Sequence, residues 1–113
     1  MNDTAEVYSF LEKTNHDAFD SADYDKAYHV LASLLHFAQS MGNASKLKEV
    51  SETATIQAEQ IDALSPEYHH STQNSASRGN GNIFVSLSSQ AETACKIIRS
   101  KHVAANALPS EGT

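Results

Sequence analysis

Apolar residues recur every three or four positions in four stretches of this chain, and nowhere do they alternate with polar residues for more than a few positions. That period belongs to helices packed on one face, not to strands. The strongest stretch carries Tyr24, Ala27, Leu31, Leu34, Leu35, Ala38 and Met41 on one side, with Val30 and Phe37 widening the face around the cylinder. Its polar strip, Lys26, His29, Ser33, His36 and Ser40, is narrow. The pattern predicts a helix over 23–41 that needs neighbours on more than one side.

Gly42 supplies the left-handed conformation in which helices commonly end, and Asn43 tolerates the turn. So short a connection folds the next helix back antiparallel. That helix, predicted over 44–64, buries Leu47, Val50, Ala54, Ala58 and Ile61, and its small residues imply close approach to its partner. Pro66 stops it. Upstream, Val7, Tyr8, Leu11, Ala18 and Phe19 keep helical spacing over 3–20, with Asp3 and Glu6 placed as a capping box. A break is expected at 20–22, with Asp20 or Ser21 capping the second helix.

Residues 65–82 are polar and rich in Ser, Asn, His and Gly, which predicts a flexible loop. Beyond it, 83–87 has the β-branched and aromatic content of a strand but no partner strand, so it is read as the start of a fourth helix. Leu87, Ala91, Ala94, Cys95 and Ile98 form the apolar face of that helix over 84–103, with Ser89 and Glu92 as an alternative capping box. Residues 104–113 are expected to fray. The fold class that results is all-α, an antiparallel bundle of about four helices in one domain, 1–103.

Charge modifies this picture more than composition does. Of the net −6, residues 1–64 hold eleven acids against four bases and 65–113 three acids against four bases. An acidic front half argues against nucleic acid as a partner. The one basic cluster, Lys96, Arg99 and Lys101, lies near a helix C-terminus, where cations complement the dipole. No apolar run approaches the roughly 20 residues needed to span a bilayer, and the Met-Asn-Asp start lacks a leader's basic and apolar regions, so no membrane partner is expected. A single cysteine among apolar neighbours reads as a buried small hydrophobe and fits a reducing, cytoplasmic location.

Candidate chemistry is sparse. Asp17, Asp20, Asp23 and Asp25 lack the alternation and glycine of a calcium loop and suit a helix start instead. His29 and His36 lie two turns apart, about 10 Å along the axis, too far to share one metal ion. His69-His70 fall in the polar loop, and 78–82, Arg-Gly-Asn-Gly-Asn, resembles a phosphate loop in composition only. No catalytic residue, metal ligand or cofactor site is assigned.

Two families share features with the chain. Asp23-Tyr24-Asp25-Lys26-Ala27 with Leu31 and Leu34 resembles the second helix of a tetratricopeptide repeat, with a first helix through Leu11, Asn15 and Ala18. Asn15 stands where such repeats favour glycine and Leu34 where they favour alanine. The resemblance implies a helical hairpin that binds peptides or partner proteins. His29-Val30-Leu31-Ala32-Ser33 and His36-Phe37-Ala38-Gln39-Ser40 are each similar to the histidine motif of phosphotransfer domains, with Ala32 or Gln39 in place of the usual lysine. That similarity implies signalling through His29 or His36. The leading expectation is a non-enzymatic module that self-associates as a homo-oligomer or docks another protein, with Val30 and Phe37 as the residues left over from the wide face of the second helix.

Overall fold

The computed structural model describes residues 3–68, 70–73 and 81–107. It shows four long helices, α1 (Asp3–Asp20), α2 (Tyr24–Ser40), α3 (Ala44–Leu64) and α4 (Ile83–Ala107), and no strand among the described residues. The chain is thus an all-α bundle in which α1 pairs with α2, α3 pairs with α4, and α2 also packs against α3 and α4. The wide face of α2 is covered from three sides, as its narrow polar strip requires.

The two tight turns are built alike. In the first, Ala22 N–H donates to the Phe19 carbonyl (3.0 Å) and Asp23 N–H to that of Ala18 (2.9 Å); in the second, Gly42 N–H donates to Gln39 (3.0 Å) and Asn43 N–H to Ala38 (3.0 Å). Each satisfies the end of one helix while its last residue caps the next, Asp23 Oδ1 accepting from Lys26 N–H and Asn43 Oδ1 from Lys46 N–H. Asp23 is therefore the cap, and neither Asp20 nor Ser21 fills that role; the six-to-one bond of the first turn needs the chain to run on to Asp23 before α2 starts. The left-handed position is Gly42 (φ 64°) in one turn and Ala22 (φ 61°) in the other. A Cβ on Gly42 would meet nothing within 4 Å, so only backbone strain separates the two residues there. Gly42→Ala is expected to lower stability by about 1 kcal/mol and Ala22→Gly to raise it by a similar amount. Urea unfolding of both variants checks this, and an unchanged midpoint for Gly42→Ala would contradict it.

The core lies between the pairs: Leu31, Leu34 and Leu35 of α2, Leu47, Val50 and Ile61 of α3, and Phe84 and Leu87 of α4 are buried together. Ala54 and Ala58 are also buried, which lets α3 sit close to its neighbours. Between α3 and α4 a hydroxyl cluster replaces apolar contact: Ser88 Oγ lies 3.1 Å from Ser51 Oγ and 2.8 Å from Thr55 Oγ1.

α4 begins at Ile83 and runs as helix through the segment with strand-like composition. Its cap is Asn82, whose Oδ1 accepts from Phe84 N–H (2.8 Å); Ser89 lies inside the helix. At the other end it continues past Val103 to Ala107, four residues into the expected tail. The rest of that tail, 108–113, the loop positions 69 and 74–80, and the side chain of Asp3 lie outside the described residues.

Where the loop is described, it is tied to α3. Asp62 accepts from Thr72 N–H (2.9 Å), Thr72 Oγ1 (2.7 Å) and Asn82 Nδ2 (3.0 Å), and Asn82 Nδ2 also reaches the Ala58 carbonyl (3.3 Å). Ser71 is buried and donates to the Pro66 carbonyl at 2.6 Å. Tyr68 packs edge-on against Tyr24 (centroids 5.2 Å) and donates to Asp25, and Tyr24 shares a hydrogen bond with Ser65 (2.8 Å). Burial pushes the Asp62 carboxyl up, but its bonds to Thr72 and Asn82 outweigh that and hold it below the usual carboxylate value. A carboxylate depressed in the folded state contributes stability above its unfolded pKa and loses it as pH falls through the folded one. Amide exchange at Thr72 is therefore expected to accelerate on acidification below the ordinary carboxylate range. In Asp62→Asn it is fast at all pH values; a wild-type rate indifferent to acid, after correction for intrinsic exchange, would count against the clasp.

Candidate functional site

α1 and α3 flank α2 without closing over it, and the gap between them is a concavity. Its floor is Leu31 and Leu34 of α2 with Val50 of α3, and its walls are Tyr8, Glu12, Asn15 and His16 of α1 facing Glu49, Glu52, Thr53 and Ile56 of α3. A second depression, lined by His16, Phe19, Asp20, Thr53, Ile56, Gln57 and Gln60, shares three residues with the first, so the two form one trough. Their volumes are about 250 and 260 Å³. Each is small, and joined they make an elongated channel rather than one compact cavity. The trough is shaped for side chains entering from above.

Periodicity puts these residues here. On α1, Tyr8, Asn15 and Phe19 belong to the inward stripe, and Glu12 and His16 stand beside it. On α3, Glu49, Glu52 and Ile56 recur at three and four residues along the edge next to buried Val50 and Gln57. Two bonds span the floor: Gln57 Nε2 donates to Asn15 Oδ1 (2.7 Å), and Asn15 Nδ2 contacts Gln57 Oε1 (3.3 Å) while donating to the Ala27 carbonyl (2.8 Å). At the open end of α3, Tyr8 Oη donates to the Lys46 carbonyl (3.4 Å), and the Lys46 ammonium sits 4.7 Å from the centre of the Tyr8 ring.

The trough is acidic. Glu12, Asp20, Glu49 and Glu52 line it with no Lys or Arg among the lining, and the one cation at its edge is Lys46, 3.7 Å from Glu49. The field reaches its floor: the Tyr8 hydroxyl is pushed up by burial first and then by the carboxylates of Glu12 and Glu49. Ile56 adds an apolar edge that is 53% exposed.

The residues singled out from sequence lie elsewhere. Val30 and Phe37 are half-buried; Phe37 packs on the core and meets Tyr8 edge-on at 6.4 Å. Neither lines the trough; a separate depression is lined by Phe10, Thr14 and Ala18 of α1 with Lys26, and Phe10 is 68% exposed. His29 is exposed beside the Tyr28 ring. His36 is exposed at a depression between α2 and α4 lined by Leu35, Gln39, Ser89, Gln90, Thr93, Ala94 and Ile97, with no cation among its lining. Cys95 is buried, its thiol 3.4 Å from the Ala44 carbonyl. The aspartates have separate duties: Asp17 pairs with Lys13 (2.7 Å), Asp23 caps α2 and Asp25 accepts from Tyr68. Among the described residues no three His, Cys, Asp or Glu side chains could hold a metal ion, and no helix is long and apolar enough to cross a membrane.

No protein-family model, curated protein or solved structure matches the chain.

Sequence reasoning missed the trough because it ranked residues by the apolar face of single helices. The available signal was polar: Asn15 and Gln57 occupy stripe positions in α1 and α3 that should be apolar, and each marks where those helices approach one another.

Proposed function

We propose that this chain is a non-enzymatic docking module that receives a segment of a polypeptide in the trough between α1 and α3. One observation carries the reading: an open, elongated, apolar-floored channel with a hydrogen-bonding pair and acidic walls, suited to successive side chains of a segment. The reading keeps the class of function expected from sequence and moves the surface from Val30 and Phe37 to the trough.

The test is a random peptide display library panned against the folded chain, followed by amide chemical-shift mapping with the peptides selected. Shifts are expected at Glu12, Asn15, Glu49, Thr53 and Ile56, with at least tenfold weaker binding to Ile56→Glu. Ile56 is exposed enough for that substitution to leave the fold intact. Peptides that map to another face, or none that bind, would refute it. Phosphotransfer through His29 or His36 makes a different forecast: incubation with a phosphorylated receiver domain would leave an acid-labile label, lost in His29→Gln or His36→Gln. The cation-free surroundings of His36 favour docking over that reading.

A further inference from the structure

We propose that the occupant of the trough is the basic end of α4 from a second copy of this chain, so that copies assemble head to tail. The proposal rests on the trough being a docking site.

The register of α3 and α4 carries that end of α4 beyond the start of α3. Ser88 lies against Ser51 and Thr55, and Cys95 reaches the carbonyl of Ala44, the first residue of α3. α3 has run out at that level, and among the described residues Ile98 is the last apolar residue of α4 packed on the core. The helix nevertheless continues through Arg99–Ala107, nine residues or about 13 Å at 1.5 Å per residue. These residues are held by propagation from the packed part of α4, without burial of 99–103 against α3.

The chemistry of this arm is opposite to that of the trough. Lys96, Arg99 and Val103 follow one another at i, i+3 and i+7, which places two cations and a side chain 65% exposed on one stripe. Glu49 and Glu52 have the same i, i+3 spacing on the trough wall, with Glu12 opposite and the apolar edge of Ile56 one turn on. Two cations can therefore meet two carboxylates at matched spacing while Val103 covers apolar surface. Lys96 is already paired with Glu92 (3.0 Å) and Glu49 with Lys46 (3.7 Å), but these side chains are a third or more exposed, and such pairs contribute too little to hold them. The arm cannot enter its own trough, because it prolongs the α4 axis past the start of α3 and would have to break to turn back. A contact between unlike surfaces adds copies in series until the rotation it imposes closes a ring.

The experiment is sedimentation of the full chain over a concentration series at low and high salt, with two charge-reversed variants, Glu49→Lys/Glu52→Lys and Lys96→Glu/Arg99→Glu. Wild type is expected to form a ladder of oligomers whose association weakens at least tenfold between low and high salt. Each variant alone is expected to stay monomeric, with helical content unchanged by circular dichroism. Mixed in equal amounts, the unaltered arm of one variant meets the unaltered trough of the other and the reversed arm meets the reversed trough, so association is expected to return with the two variants alternating. A wild type that stays monomeric, variants that associate like wild type, or a mixture that stays monomeric would each overturn the proposal. If a library-selected peptide still maps to the trough in that event, self-recognition fails while the docking reading stands; if no peptide binds there either, both fail.

Discussion

Phe84→Ala is expected to destabilise the fold by about 3–5 kcal/mol, the usual range for emptying a large aromatic site in a core that only partly collapses. Phe84 is fully buried, with Tyr28 of α2 edge-on at 5.7 Å and Leu87 and Ala91 buried one and two turns along α4. It is the first fully buried side chain of α4, so it anchors the start of that helix against the first hairpin, while Asn82 anchors the backbone just before it. A domain of this size commonly holds 5–15 kcal/mol in total, so the loss is a large fraction of the whole. The comparison that isolates burial is Val85→Ala, at the next position of the same helix but half exposed. Guanidinium unfolding should separate the two by 2 kcal/mol or more, by the size of the transfer and cavity contributions that only Phe84 carries. Equal losses would mean that this first turn of α4 is not packed as described.

Helix positions were legible in the sequence because each stripe is redundant. Five or more apolar residues report the same face of α2 and of α3, and the Gly42-Asn43 turn separates them unambiguously. The start of α4 was harder: Ile83, Phe84 and Val85 favour strands locally, and helix wins because Phe84 and Leu87, three apart, enter the same core while Val85 faces out. Tertiary burial overrides local preference there. The cap of α2 was assigned to the wrong residue for the opposite reason. Ala22 takes a left-handed conformation that alanine seldom adopts, so nothing marked Ser21-Ala22-Asp23 as the twin of Met41-Gly42-Asn43. The clasp around Asp62 was hidden by composition, since Thr72 and Asn82 look like loop polarity until Asp62 is seen between them. The trough could not be read from any one helix, because it exists only where two helices stand apart over a third.

The amide pair at the bottom of the trough yields the other large effect. Asn15 and Gln57 are almost wholly buried, and every polar atom of the two side chains has a partner. Replacing Asn15 with Ala strands the Gln57 amide in the floor, which costs about 1–3 kcal/mol for the unsatisfied group, with the lost contacts added. Gln57→Leu strands Asn15 in the same way, though its bond to Ala27 retains part of the value. The double variant Asn15→Leu/Gln57→Leu removes both polar groups at once and should cost less than the two single changes summed, with a coupling of 1 kcal/mol or more. Chemical denaturation of the cycle reads this, and additive losses would mean that the two amides do not depend on each other. The same double variant separates stability from function. Leu against Leu restores apolar contact but no longer fixes the distance and register of α1 against α3, which the paired amides set with two bonds. Peptide binding in the trough should therefore fall by tenfold or more while the melting temperature recovers. The resemblance to a tetratricopeptide hairpin placed Asn15 where such repeats favour a glycine that lets helices approach. In this chain the position does a different job: its side chain reaches across to α3 and holds the trough open at a set width.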